Sequence, residues 1–235
     1  MMTERRRKRS IGLVVMLLGC LMVLSAAGLT VRNLHEGEKA GNLSSDVLGE
    51  LQTRLPKRKP ARSSPADYAV HEESIYQLPG SAEDIVVPEQ LEIPLYLLAP
   101  TIPMPTTEID GRKYVGTLEI PILGLELPVL NDCTYSGLKT APVRWSGSAY
   151  LNDLVICAHN YQRHFGMLKT LQPEDRVSFT DMDGNLFLYR VAVVEILSPE
   201  DVEEMENSEY DLTLYTCTIG GASRVTVRCI REEEL

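Results

Sequence analysis

Leu212-Thr213-Leu214-Tyr215-Thr216-Cys217 and Arg224-Val225-Thr226-Val227-Arg228 flank the connection Thr218-Ile219-Gly220-Gly221-Ala222-Ser223. Both flanks are rich in β-branched, aromatic and aliphatic residues, and Gly220-Gly221 supplies the turn. The pattern predicts a β-hairpin with a loop longer than the tightest kind. Such a hairpin brings a thiol and a guanidinium together near one end of a sheet. A cation beside a thiol helps ionise it, or stabilises negative charge formed during its attack. The period-two rule puts Arg224 and Arg228 on one face, with Val225, Val227 and Cys229 on the other. Arg224 lies nearer the loop, and therefore nearer Cys217.

The residues preceding this hairpin have the same texture. Val115–Ile120 and Leu125–Leu130 are short β-like runs around a Pro-Ile-Leu-Gly turn. Leu154–Ala158 is continuously apolar, as a buried strand requires. Arg176–Thr180 alternates, and Asp183-Gly184 turns the chain into Leu186–Val191, which continues to Leu197 through a bend. Seven or eight short strands over residues 107–235 predict a mainly β fold, a closed or nearly closed barrel. Phe165–Leu171 and Pro199–Glu206 are the candidate short helices.

Before the barrel the composition shifts twice. Arg5-Arg6-Arg7-Lys8-Arg9 precedes the uncharged run Ile11–Leu29, close to the ~20 residues that span a bilayer. The positive-inside rule keeps residues 1–9 in the cytoplasm and places everything after a span at 10–31 outside. Ser25-Ala26-Ala27 offers a rival reading as a signal-peptidase site, and Leu17-Leu18-Gly19-Cys20 loosely resembles a lipoprotein box. The length of the run favours an uncleaved anchor. Residues 32–106, poor in aromatics and punctuated by proline, read as an extracytoplasmic linker or stalk. Within it, Glu36–Leu55 is a candidate juxtamembrane helix. Ile75–Pro105, where apolar residues recur among prolines, could build a lid.

The net charge of −10 is uneven. Residues 106–235 hold eleven basic and twenty-one acidic residues. That balance excludes the basic stripe a nucleic-acid-binding domain needs. The five cysteines, Cys20, Cys133, Cys157, Cys217 and Cys229, form no CxxC, which argues against a zinc ribbon or a thioredoxin-type site. Cys157 and Cys229 lie in apolar runs and read as small buried hydrophobes. The sequence leaves open one disulfide among Cys133, Cys157 and Cys229.

A nucleophilic thiol needs a proton acceptor. Of four histidines, His159 and His164 fall in the β region. His159 leaves the apolar run Leu154–Ala158 at a strand-to-loop exit, where a strand fixes position and a loop gives access. His164 sits inside the loop, as an exposed or structural residue. Thiol, imidazole and guanidinium together supply a nucleophile, a proton carrier near neutral pH and a fixed cation for an oxyanion.

The segments Ala158-His159-Asn160, Thr213-Leu214-Tyr215-Thr216-Cys217-Thr218 and Arg224–Arg228 resemble the sortases of Gram-positive bacteria. Their order, and the terminal Cys–Arg hairpin, match as well, over roughly residues 107–235. The resemblance implies a sortase-like barrel and a cysteine transpeptidase. Cys217 would be the nucleophile, His159 the general acid/base and Arg224 the transition-state stabiliser, with no cofactor. Thr216 would lend backbone or hydroxyl support. Implied substrates are secreted proteins with a C-terminal, LPxTG-like sorting signal. The implied acceptor is an amine of a peptidoglycan precursor or a pilin lysine. Three other readings compete: a cysteine endopeptidase using the same pair, a non-catalytic tethered barrel, and a metal site of Cys157, His159, His164 and Cys217. The last lacks standard zinc spacing.

Overall fold

The computed structural model describes residues 2–61, 93–206 and 209–232. Its ten strands are β1 (Lys59–Pro60), β2 (Thr107–Ile109), β3 (Arg112–Ile120), β4 (Leu125–Leu130), β5 (Val143–Ser146), β6 (Leu154–Cys157), β7 (Arg176–Asp181), β8 (Asn185–Leu197), β9 (Leu212–Cys217) and β10 (Arg224–Arg231). Eight of them close into a barrel in the order β3-β4-β5-β6-β9-β10-β8-β7, and β7 pairs back onto β3. β2 extends β3, and β1 pairs with the start of β8. Closure leaves these eight strands no free edge. The bend expected in the long strand is a register shift, with Arg228 opposite Val193 and Cys229 opposite Val191.

The helical expectations are only partly met. Pro199–Glu206 contains a helix at Val202–Glu206, whereas Phe165–Leu171 holds only a 3-10 turn at Leu168–Thr170. Phe165 is fully buried in the core and Gly166 packs against the carbonyls of Asn160 and Tyr161, so this stretch turns too tightly for an α-helix. Leu95–Leu98 and Tyr135–Leu138 form two more short helices.

Alternation sorts the side chains into two apolar groups. Leu154, Ile156, Ala158, Leu212, Leu214, Val225, Val227 and Cys229 fill the barrel with Phe165, Phe179, Phe187 and Tyr189. Val155, Cys157, Tyr215, Val143 and Leu130 point outward into a second cluster, which also takes Leu51. β6 is thus buried on both faces, the reason it reads as an unbroken apolar run. Residues before Thr107 join the packing. Tyr96 and Met104 enter the barrel core, and Tyr96 stacks on Tyr150 with ring centroids 4.7 Å apart. Residues 75–92 of the candidate lid lie outside the described residues, and its remaining part packs through these two side chains.

The N-terminal helix α1 (Met2–Arg54) continues unbroken from the apolar run through residues 36–54, where the sequence suggests a separate short helix. It is long and apolar enough to cross a membrane, and the barrel buries none of its apolar window. Its C-terminal third lies on the barrel. Leu51 is fully buried, Gln52 bonds Glu126, and Arg54 donates to the carbonyl of Glu108. Nearer the apolar run, Ser44 donates to the Thr140 carbonyl at 2.6 Å and lies 3.1 Å from His164 Nε2. Arg163 reaches Asn42 and Ser45. Close approach depends on small residues at helical spacing, Gly37, Ala40, Gly41 and Ser44. A Cβ on Gly41 would come within 2.4 Å of Arg163.

His164 is therefore not an exposed loop residue but is fully buried beneath α1. Burial, aided by His159 and Arg163, pushes its imidazole down from 6.5 to about 4. The unfolded chain takes up a proton near 6.5 and the folded one only near 4. Stability from the neutral ring is complete above the upper value and falls as pH drops through that window. The loss should reach on the order of 3 kcal/mol. Thermal unfolding of the full chain across this range should show it, and His164→Asn should flatten the difference.

Candidate active site

The parallel pairing of β6 with β9 builds the site. Cys157 sits opposite Tyr215, and the Ala158 amide donates to the Tyr215 carbonyl at 3.3 Å. One residue further, the buried Thr216 hydroxyl donates to the Ala158 carbonyl at 2.8 Å. The next residue of each strand is His159 and Cys217, so both emerge at one level. Arg224 pairs with Cys217 across the β9–β10 hairpin. Parity places all three on the outer sheet face, in line with Val155 and Cys157, Thr213 and Tyr215, and Thr226 and Arg228. The register therefore brings the three residues expected from the sequence to one end of three adjacent strands, each half-buried.

The hairpin loop holds this geometry. The Thr218 amide donates to the Ser223 carbonyl at 2.9 Å, while the Thr218 hydroxyl accepts from the Ser223 amide at 3.0 Å. That rung leaves the adjoining Cys217–Arg224 pair without mutual backbone bonds, the type whose side chains stand closer. Gly220 and Gly221 turn the loop with φ of 88° and 77°. Arg224 donates to the carbonyls of Gly221 and Ser223 at 3.1 and 3.2 Å, and among the described residues it forms no ion pair.

Arg228 is engaged elsewhere. It is almost fully buried, bonds Glu195 at 2.8 Å and Thr213 at 3.1 Å, and donates to the carbonyls of Glu204 and Met205. Its guanidinium fastens the Val202–Glu206 helix to the sheet, four residues from the reactive end. The two arginines share a face but have different surroundings.

His159 is pinned on both sides, by β6 before it and by the Phe165 amide donating to its carbonyl at 3.2 Å. Its ring lies 5.0 Å from that of Tyr161. Nε2 is buried without a hydrogen-bond partner among the described residues. Burial holds the imidazole below its ordinary 6.5, Lys139 adds to the effect, and Glu36 of α1 opposes it. Glu36, Lys139 and Tyr161 are site neighbours that the strand pattern could not reveal. The small-residue stripe of α1 is the signal that could have found Glu36.

Cys157 and Cys229 are buried, whereas Cys217 is half-buried. Burial pushes Cys157 up to about 12, and Cys229 is fully buried in the barrel. All five cysteines are free. Among the described residues, no three His, Cys, Asp or Glu side chains converge to hold a metal; His164 faces Ser44 instead of the thiols.

Residues 118–232 match the sortase domain model. Sortase A of Bacillus anthracis is 28% identical over 115 residues, covering 46% of this chain. The chain spans about half the length of that relative, 54%. Among solved structures, sortase C1 from Streptococcus agalactiae is 24% identical with a TM-score of 0.48, covering 55% of this chain and 72% of that one. A lid mutant of sortase A from Corynebacterium diphtheriae is 22% identical with a TM-score of 0.47, covering 53% and 73%. Residues 118–232, just under half of the chain, are thus similar to sortase domains.

The two arginines separate experimentally. Arg228→Met strands Glu195 and two helix carbonyls, and should cost about 3 kcal/mol in urea unfolding. Arg224→Met should change stability by only about 0.5 kcal/mol. Thr216→Val removes the bond between the strands just before Cys217 and His159, and should cost about 1–2 kcal/mol.

Proposed function

We infer that this chain is a membrane-anchored cysteine transpeptidase. The observation that carries the reading is the placement of His159, Cys217 and Arg224 at one level and on one face of three adjacent strands. Cys217 attacks the Thr–Gly carbonyl of an LPxTG-like sorting signal on a secreted protein. With its pKa held down, His159 is neutral near pH 7 and accepts the thiol proton as the C–S bond forms. Arg224 turns from its loop carbonyls to the developing oxyanion, where a fixed cation favours the tetrahedral intermediate over the substrate. The protonated His159 then delivers its proton to the departing amine, leaving a thioester on Cys217.

An amine completes the reaction. His159 takes a proton from it as the amine attacks the thioester, and the thiol regains a proton when the C–S bond breaks. The acceptor is an amine of a cell-wall precursor or a pilin lysine. The apolar part of α1 holds the domain at the outer membrane surface, where exported substrates emerge.

The test is peptide turnover by the full chain in detergent, with and without an added amine. Wild type should form the amide product, and Cys217→Ala should form neither amide nor acid. Arg224→Met should lower kcat/KM by about a hundredfold or more. The acid limb of the kcat/KM profile should fall below pH 6.5, because the burial of His159 lowers its pKa. Retained turnover by Cys217→Ala would remove the nucleophile, and acid product alone, whatever the amine, would make the chain a hydrolase.

A further inference from the structure

Helix α1 docks along the barrel in a fixed direction. Followed from Arg54 towards its apolar run, it touches the sheet in a fixed succession. Arg54 meets Glu108 of β2, Gln52 meets Glu126 of β4, and Ser44 meets Thr140 just before β5. Ser44 also meets His164, and Gly37 packs under the Tyr161 ring, both in the loop after β6. The next strands in the sheet are β9 and β10. The helix thus crosses the strands towards the reactive hairpin as it approaches the apolar run.

The distances are short. Gly37 lies six residues beyond Val31, the last residue before the charged Arg32. At 1.5 Å per residue this is about 9 Å. The headgroup layer on each side of a bilayer is itself roughly 5–7 Å deep. β9 and β10 lie one and two strand spacings further on, about 5 and 10 Å. α1 has no break between the apolar run and its docked part, so no hinge within the helix loosens this relation.

The surface at this end suits a lipid interface. Ile219, at the tip of the β9–β10 loop, is 92% exposed, and Tyr135 is 73% exposed. Lys139 lies 4.7 Å from the Tyr135 ring centre and close enough to His159 to lower its pKa. Aliphatic and aromatic tips beside an amine are the side chains that settle at headgroup level.

The geometry points to the β9–β10 loop as a contact with the outer leaflet, with Ile219 in the interface and Cys217 working at headgroup height. This rests on reading the apolar part of α1 as a bilayer span with the barrel outside. It deepens the proposed activity: the thioester on Cys217 is formed and resolved beside the lipid surface, within reach of an amine carried on a membrane-bound molecule.

The chain has a single tryptophan, Trp145, which makes a direct test available. In a Trp145→Phe background, Ile219→Trp puts one reporter at the loop tip. Ile122→Trp puts it on the β3–β4 turn, 67% exposed and near the Gln52 end of the docked helix. Each full-length variant is reconstituted into phosphatidylcholine–phosphatidylglycerol vesicles containing lipids brominated near the headgroup end of the acyl chains. The tryptophan at 219 should show blue-shifted emission and strong quenching, and that at 122 neither. An unquenched reporter at 219, or equal quenching at both positions, would overturn the orientation. Peptide turnover in the same vesicles separates the two claims. Quenching without turnover leaves the orientation and removes the activity, whereas turnover without quenching does the reverse.

Discussion

Everything at the candidate site depends on one parallel pairing, β6 against β9. Two residues 58 positions apart become neighbours because Cys157 registers with Tyr215 and the next two contacts, Ala158 to Tyr215 and Thr216 to Ala158, hold the strands to their last residues. A one-residue slip would carry His159 to the barrel interior while Cys217 stayed outside. The slip is opposed from both sides, since Leu154 and Ile156 fill the barrel and Val155 and Cys157 fill the outer cluster. Core packing thereby sets the relative position of thiol and imidazole.

Burial then differentiates groups of the same kind. Cys157 lies two residues before His159 on the same face, yet its enclosed position keeps its thiol protonated. Arg228 is enclosed by an acid and two carbonyls and acts as a fastener, while Arg224 at the hairpin mouth, among the described residues, bonds loop carbonyls alone. His164 is neutral beneath α1 and secures that helix. Helix docking and the candidate site share the loop after β6, so α1 and His159 are separated by only a few residues of structure.

Much of this was legible in the sequence. The hairpin, the long bent strand and the twice-buried β6 follow from alternation, turn glycines and an unbroken apolar run, and the reactive residue types stand at strand ends. The parallel partner of β6 could not be read locally, because nothing in Leu154–Ala158 names a strand so far away. β5 is only four residues long and follows Pro142, too short for periodicity to register. The docking of α1 was hidden for another reason. A run of charged and small residues after an anchor looks like a stalk, and Gly37, Ala40, Gly41 and Ser44 become a packing stripe only once the helix continues through them.

The central claim is that Cys217 takes up an acyl group beside His159 and Arg224. Intact-protein mass spectrometry tests it most directly, on the full chain quenched in acid after brief exposure to an LPxTG-like peptide without added amine. The account predicts a mass increase equal to the peptide fragment ending in threonine, mapped by digestion to Cys217 and released by hydroxylamine. Peptide cleavage with no such adduct, or an adduct on Cys133, would contradict it.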